Sequence, residues 1–257
     1  MILSLTRAMA DSFAAALAAV PPDPPIDVAR ARAQHAAYRA ALAALGARVM
    51  VLDADEECPD CCFVEDTAVI AGGVALIARP GAPSRRGEVE AVARALTPLI
   101  EVATMTAPAT LDGGDCLRLG RTLYVGRSAR TNAAGVARAA EVFEARGLRV
   151  VPVTLPADVL HLKCVCAPLG DDRVLLAEGT LSAEVFAGAD VVWVPRAEAY
   201  AANAVAIDDG VIVADGFPRT RAALEAAGFT VHAVATTEVR KADGSLTCLS
   251  LLIPDAG

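Results

Sequence analysis

The chain has 257 residues, of which 55% are hydrophobic and 21% charged, enough apolar material for a sizeable core. Its formal net charge of −8 leaves no basic stripe to neutralise phosphates, which excludes nucleic acid and anionic membrane surfaces as partners and favours small cationic molecules. The apolar run from Phe13 to Val20 is too short to span a bilayer, and Arg7 and Asp11 interrupt what precedes it. Seven cysteines are an odd number and too sparse for a disulfide framework, so the sequence reads as one cytoplasmic domain over residues 1–257 with reduced thiols.

In chain order, "DVARARAQHAAYRAALAALGARVMVL" predicts a long amphipathic helix followed by a strand. Four segments then share one plan: a short apolar strand, a Gly or Asp-Gly turn, a second apolar strand, a helix-like stretch and a closing strand. They begin at "CCFVEDTAVIAGGVALIARP", "GGDCLRLGRTLYVGRSARTN", "HLKCVCAPLGDDRVLLAEGT" and "NAVAIDDGVIVADGFPRTRA". The third has a shorter helix. In the fourth, Asp208-Asp209-Gly210 is a hairpin turn and Gly228 ends the helix. The C-terminal "TCLSLLIP" pairs with the N-terminus and completes a fifth unit. Taking Phe63, Cys116, Cys164, Asn203 and Cys248 as inner-strand starts gives spacings of 53, 48, 39 and 45, which predict an α/β propeller of five pseudosymmetric units. Its inner-strand starts would converge at one end of the axis.

A thiol, an imidazole and several carboxylates lie at those starts: Cys248, His161, Asp60, Glu65, Asp66, Asp112 and Asp115. A free thiol is only a few per cent thiolate at neutral pH, so a nucleophilic Cys248 needs a base or a nearby cation, and His161 with an orienting carboxylate is the candidate. Glu65 and Asp66 beside it would oppose the thiolate unless the substrate is itself a cation. A guanidinium meets that need, since two carboxylates can grip its N–H groups with charge-assisted hydrogen bonds of roughly 1.5–3 kcal/mol each. Arg85, Arg86 and Arg130 are available at the rim for an α-carboxylate.

These segments, with "PGAPSRRGEVEAV", "LDGGD", "VLHLK", "EAYAANAV" and "RKADGSLTCLSL" in register from about residue 50 to 253, resemble the dimethylarginine dimethylaminohydrolase family of the guanidino-modifying pentein superfamily. The resemblance implies a five-fold α/β propeller that hydrolyses Nω-methylated arginines to citrulline and methylamine or dimethylamine. It implies Cys248 as nucleophile, His161 as general acid and then base, Asp112 as its support, and a covalent S-alkylthiouronium intermediate. It further implies Glu65 and Asp66 at the guanidinium, Asp60 at the amino-acid end, Arg85 and Arg130 at the carboxylate, and Leu17 in a lid over the pocket. No metal or organic cofactor is implied, and the protein would be a monomer or homodimer.

Other readings carry less of the pattern. Cys58-Pro59-Asp60-Cys61 has redox-dithiol spacing, and with Cys164 and Cys166 zinc-ligand chemistry, but acidic neighbours raise thiol pKa values and no strand-to-helix redox context surrounds it. His35 and His232 read as structural, and Arg86 as a bystander. Arginine deiminase, an amidinotransferase and a non-enzymatic binding propeller are the rival functions. The first usually carries an inserted helical domain for which this chain has no room, and the last needs no intact Cys248, His161 and Asp112 set.

Overall fold

The computed structural model describes residues 2–254. The limits 1 and 257 expected for the domain lie outside the described residues. Five three-stranded sheets share one topology: a short inner strand runs antiparallel to a middle strand, which runs parallel to an outer strand. In the first four, the inner strands are Ala68–Ala71, Cys116–Leu119, Cys166–Pro168 and Val205–Ile207. The fifth is built from both ends of the chain: Leu251–Pro254 pairs with Ile2–Arg7 in the register Leu3 to Ile253, and Ile2–Arg7 pairs with Arg48–Leu52.

Each parallel pair needs a crossover, and the helices supply it. Val28–Ala44 is capped by the Asp27 carboxylate, which accepts from Arg30 N at 3.0 Å, and it buries Tyr38 and Leu42. Ala133–Glu144 is capped by Asn132, whose Oδ1 accepts from Gly135 N at 2.8 Å. Val89–Leu96 and Pro218–Ala226 serve the first and fourth units. The third crossover is only a 3₁₀ turn, Ala183–Phe186, in keeping with the shorter helix expected there. The loop Asp208–Asp209 closes the fourth hairpin between Ile207 and Gly210, and Asp208 takes a left-handed φ of 51°.

Cys116 starts its inner strand as expected, just after the 3₁₀ turn Gly113–Asp115, whereas Phe63, Cys164, Asn203 and Cys248 sit in or beside the 3₁₀ turns that precede theirs: Val64–Thr67, Leu162–Cys164, Arg196–Ala202 and Thr247–Leu249. Glu65 and Asp66, expected inside an apolar strand, belong to the first of these turns. The reason is crowding. Five chains meeting at an axis cannot all stay extended, and the tight turns let backbones touch: a Cβ on Gly113 would stand 2.0 Å from the Glu65 carbonyl oxygen.

The turns form a septum across the axis. On one side the inner strands surround a cavity of about 250 Å³, floored by Glu65, Gly113, Lys163 and Thr247. On the other lies a chamber of about 200 Å³ containing Asp66, His161 and Cys248. Neighbouring residues in one turn thus serve opposite faces. Gly113→Ala forces the first two turns apart and is expected to lower stability by about 2 kcal/mol or more, read as a drop of several degrees in thermal unfolding followed by circular dichroism.

Candidate active site

Asp66 is 3% exposed, and its charge is met from several sides. Oδ2 accepts from Arg85 Nη1 at 2.6 Å and Oδ1 accepts from Gly114 N at 3.0 Å. Burial opposes the carboxylate form, but His161, Arg85 and these hydrogen bonds outweigh it and hold the group down at about 2. Gly114 is required here, since a Cβ would stand 2.8 Å from His161 Nδ1 and 2.9 Å from Asp66 Oδ1.

His161, 5% exposed, places Nε2 3.1 Å from Asp112 Oδ2. Asp112 is fully buried, and its other oxygen accepts from Gly81 N at 2.8 Å. Burial disfavours the imidazolium, yet Asp66, the Asp112 hydrogen bond and Asp115 raise its pKa to about 9, so His161 is protonated at neutral pH. Asp115 fixes the turn that carries it: Oδ1 accepts from Leu162 N at 3.0 Å, while Oδ2 accepts from Ser128 and Thr131 hydroxyls at 2.6 Å each. Those hydroxyls belong to the loop that bears Arg130.

The Cys248 thiol is pushed well above its ordinary pKa by burial, then by the charges of Glu65 and Asp66. At neutral pH it is therefore a thiol, with an imidazolium across the chamber. Ligand atoms of Asp66, Asp112 and His161 lie within 4.8 Å of one another, a spacing that could hold a metal ion. Arg85 and the imidazolium already supply the positive charge that such an ion would bring.

At the rim, Leu17 is 40% exposed and its N–H donates to Asp60 Oδ1 at 3.1 Å. Ala19 N donates to Asp243 Oδ2 at 2.5 Å, so the 17–19 segment is strapped over the chamber by two carboxylates that also line it. Arg130 also lines the chamber, with Nη1 3.7 Å from Asp112 Oδ2.

The family pattern described as "N,N dimethylarginine dimethylhydrolase, eukaryotic" matches residues 9–192. The N(G),N(G)-dimethylarginine dimethylaminohydrolase of Pseudomonas aeruginosa is 38% identical over 227 residues, covering 88% of this chain and 89% of that protein. The chain belongs to the dimethylarginine dimethylaminohydrolase family. The Streptomyces coelicolor protein of the same name is 39% identical over 228 residues, 88% of this chain and 87% of its own. A solved structure of the Pseudomonas family member, a cysteine-to-serine mutant complexed with citrulline, superposes with a TM-score of 0.93 at 36% identity over 97% of this chain and 98% of that one.

The family member described here brings Cys248, His161, Asp66, Asp60, Arg130 and Leu17 to one chamber, with Asp112 fully buried beside His161, but two expectations change. Glu65 does not line that chamber: Oε1 pairs with Lys163 Nζ at 2.5 Å, Oε2 accepts from Thr247 Oγ1 at 2.7 Å, and the group faces the axial cavity. A 3₁₀ turn sends adjacent side chains apart, so Glu65 and Asp66 cannot both grip one ligand. Arg85 lines the chamber at 4% exposure but is largely spent on the protein, bonding Glu88 through Nε and Nη2, the Phe63 carbonyl through Nη2 and Asp66 through Nη1. Of its five N–H groups, one on Nη1 is left to face a ligand.

Glu88, Lys163 and Thr247 were missed, although they stand inside the quoted segments, because each acts on another side chain and not on a ligand. Two adjacent buried acids at Glu65-Asp66 were the available signal, since each requires its own cation. Arg85→Met strands Asp66 and Glu88 and is expected to destabilise the fold by about 3–5 kcal/mol in urea unfolding. A residue that only met substrate would change KM and leave that midpoint in place.

Proposed function

We propose that this chain hydrolyses Nω-methylated arginines to citrulline and dimethylamine or methylamine. The observation that carries the reading is a buried chamber in which a protonated thiol, an imidazolium and the Asp66 carboxylate await a ligand bearing a positive charge. The five units act as one domain, since their turns jointly build the site. Its seven thiols, all free in the structure, fit the cytoplasm, and no helix among the described residues is long and apolar enough to cross a membrane.

A guanidinium beside Asp66 places its positive carbon near Cys248 and offsets the carboxylates that hold the thiol protonated. The thiol gives its proton to solvent, and Sγ attacks the guanidinium carbon. His161 donates its proton to the methylated nitrogen as the C–N bond breaks and the amine departs, leaving a cationic S-alkylthiouronium. The imidazole, now neutral and held by Asp112, accepts a proton from water as oxygen bonds the same carbon. The C–S bond then breaks as the new hydroxyl's proton passes to sulfur, releasing citrulline and restoring thiol and imidazolium. Arg130 takes the α-carboxylate with the remaining Arg85 N–H, Asp60 serves the α-ammonium, and Leu17 closes the chamber over the aliphatic arm. Positive charge on both His161 and the substrate is tolerated because the carboxylates of Asp66 and Asp112 flank the imidazolium.

Purified protein given asymmetric dimethylarginine is expected to release citrulline and dimethylamine in equal amounts. Cys248→Ser should release neither, and Asp112→Asn should turn over at least about a hundredfold more slowly. Ammonia from unmethylated arginine would mark a deiminase instead. Because His161 must carry a proton to leave with the amine and loses it above about 9, the acid-dependent step should fall off as pH rises through that value. His161 ring titration by NMR should give the same midpoint, and a midpoint near 6.5 would remove the imidazolium from the scheme.

A further inference from the structure

We propose that Lys163 is a positioning residue for the nucleophile: acting from the far face of the septum, it neutralises Glu65 and, through Thr247, holds the Cys248 turn in place. The inference rests on the reading of Cys248 as nucleophile and adds residues which that reading does not use.

Thr247 directly precedes Cys248 in the turn Thr247–Leu249 and is gripped at two atoms. Its N–H donates to Asn203 Oδ1 at 2.9 Å. Its hydroxyl donates to Glu65 Oε2 at 2.7 Å and accepts from Asn203 Nδ2 at 3.0 Å. The loop closes through Lys163, whose carbonyl accepts from Asn203 Nδ2 at 2.8 Å and whose ammonium meets Glu65 Oε1 at 2.5 Å. Four units therefore contribute to one ring, and Cys248 hangs from it on the chamber side. A scaffold that needed only to hold the turn could do so with neutral partners.

The charges point further. Glu65 is the largest charged contribution raising the Cys248 thiol, ahead of Asp66, although it faces the other cavity. Lys163 packs against it half-buried, its side chain 14% exposed, with no acid other than Glu65 in hydrogen-bond reach among the described residues. Removing the ammonium leaves the carboxylate's field on the thiol, whereas removing the carboxylate's charge leaves an ammonium that favours the thiolate. The two changes should therefore move the thiol in opposite directions. A purely structural role would make both variants worse in the same way.

The test follows the alkylation of Cys248 by iodoacetamide against pH in the free protein, read by mass spectrometry of the peptide carrying it. This readout needs no methylarginine, so a failure here is distinct from a failure of the proposed activity. Lys163→Met should raise the midpoint by about one pH unit, slowing alkylation about tenfold below it, and Glu65→Gln should lower it. Lys163→Met with Glu65→Gln should return it close to wild type. Unchanged midpoints, shifts in the same direction, or a double variant as impaired as Lys163→Met would overturn the proposal. If Lys163→Met does not fold, Glu65→Gln decides alone: a downward shift supports the proposal, and an unchanged or raised midpoint ends it.

Discussion

A thiolate has to form beside carboxylates that oppose it, and the arrangement around Asp66 follows from that conflict. Buried negative charge persists only when paired. Asp66 is paired by Arg85, and Arg85 is itself anchored on Glu88, which burial pushes up to about 7 despite the guanidinium beside it. His161 gains its proton from the same field, and the free thiol keeps its own. The resting site is thus acidic at every group that must later give up a proton. In the proposed reaction a cationic ligand is the missing partner, whose arrival would turn the thiol into a nucleophile.

Convergence of five turns makes this arrangement buildable. Each unit alone buries too little to hold a charged pair away from water, but together they form a septum a few residues thick. In three of the turns, side chains one or two residues apart take opposite faces. Asp66, His161 and Cys248 look into the chamber, while Glu65, Lys163 and Thr247 look into the axial cavity. The second face is where backbone and charge are secured, through the pair Lys163 and Glu65 and the Asn203 bridge to Thr247. Tyr38 extends that support from the long helix, its hydroxyl 2.7 Å from Ser250 Oγ.

Much of this was legible in the chain. The alternation of short apolar strands with Gly turns marked the repeat, and the pairing of "TCLSLLIP" with the N-terminus followed from one unit being left over. Cys248, His161 and Asp112 stood out as reactive residue types at equivalent positions of different units. The turns were not legible, because "CFVEDTAVI" has strand-like composition and only the crowding at the axis bends it. Glu65 was misplaced for the same reason: the facing of adjacent residues depends on a 3₁₀ geometry set by neighbours far along the chain. Arg85 looked free because Asp66 lies nineteen residues away on another turn, and Glu88, three residues on in the same 3₁₀ element, meets it only through the fold of Pro83–Glu88.

In this scheme the guanidinium itself releases the thiol proton. That release is tested most directly by stopped-flow mixing of wild type and Cys248→Ser with asymmetric dimethylarginine in weakly buffered indicator at neutral pH. About one proton per site is expected to appear before the amine from wild type, and none from the serine variant. Equal release from both proteins, or none from wild type, would mean that the thiol is activated by the protein and not by its ligand.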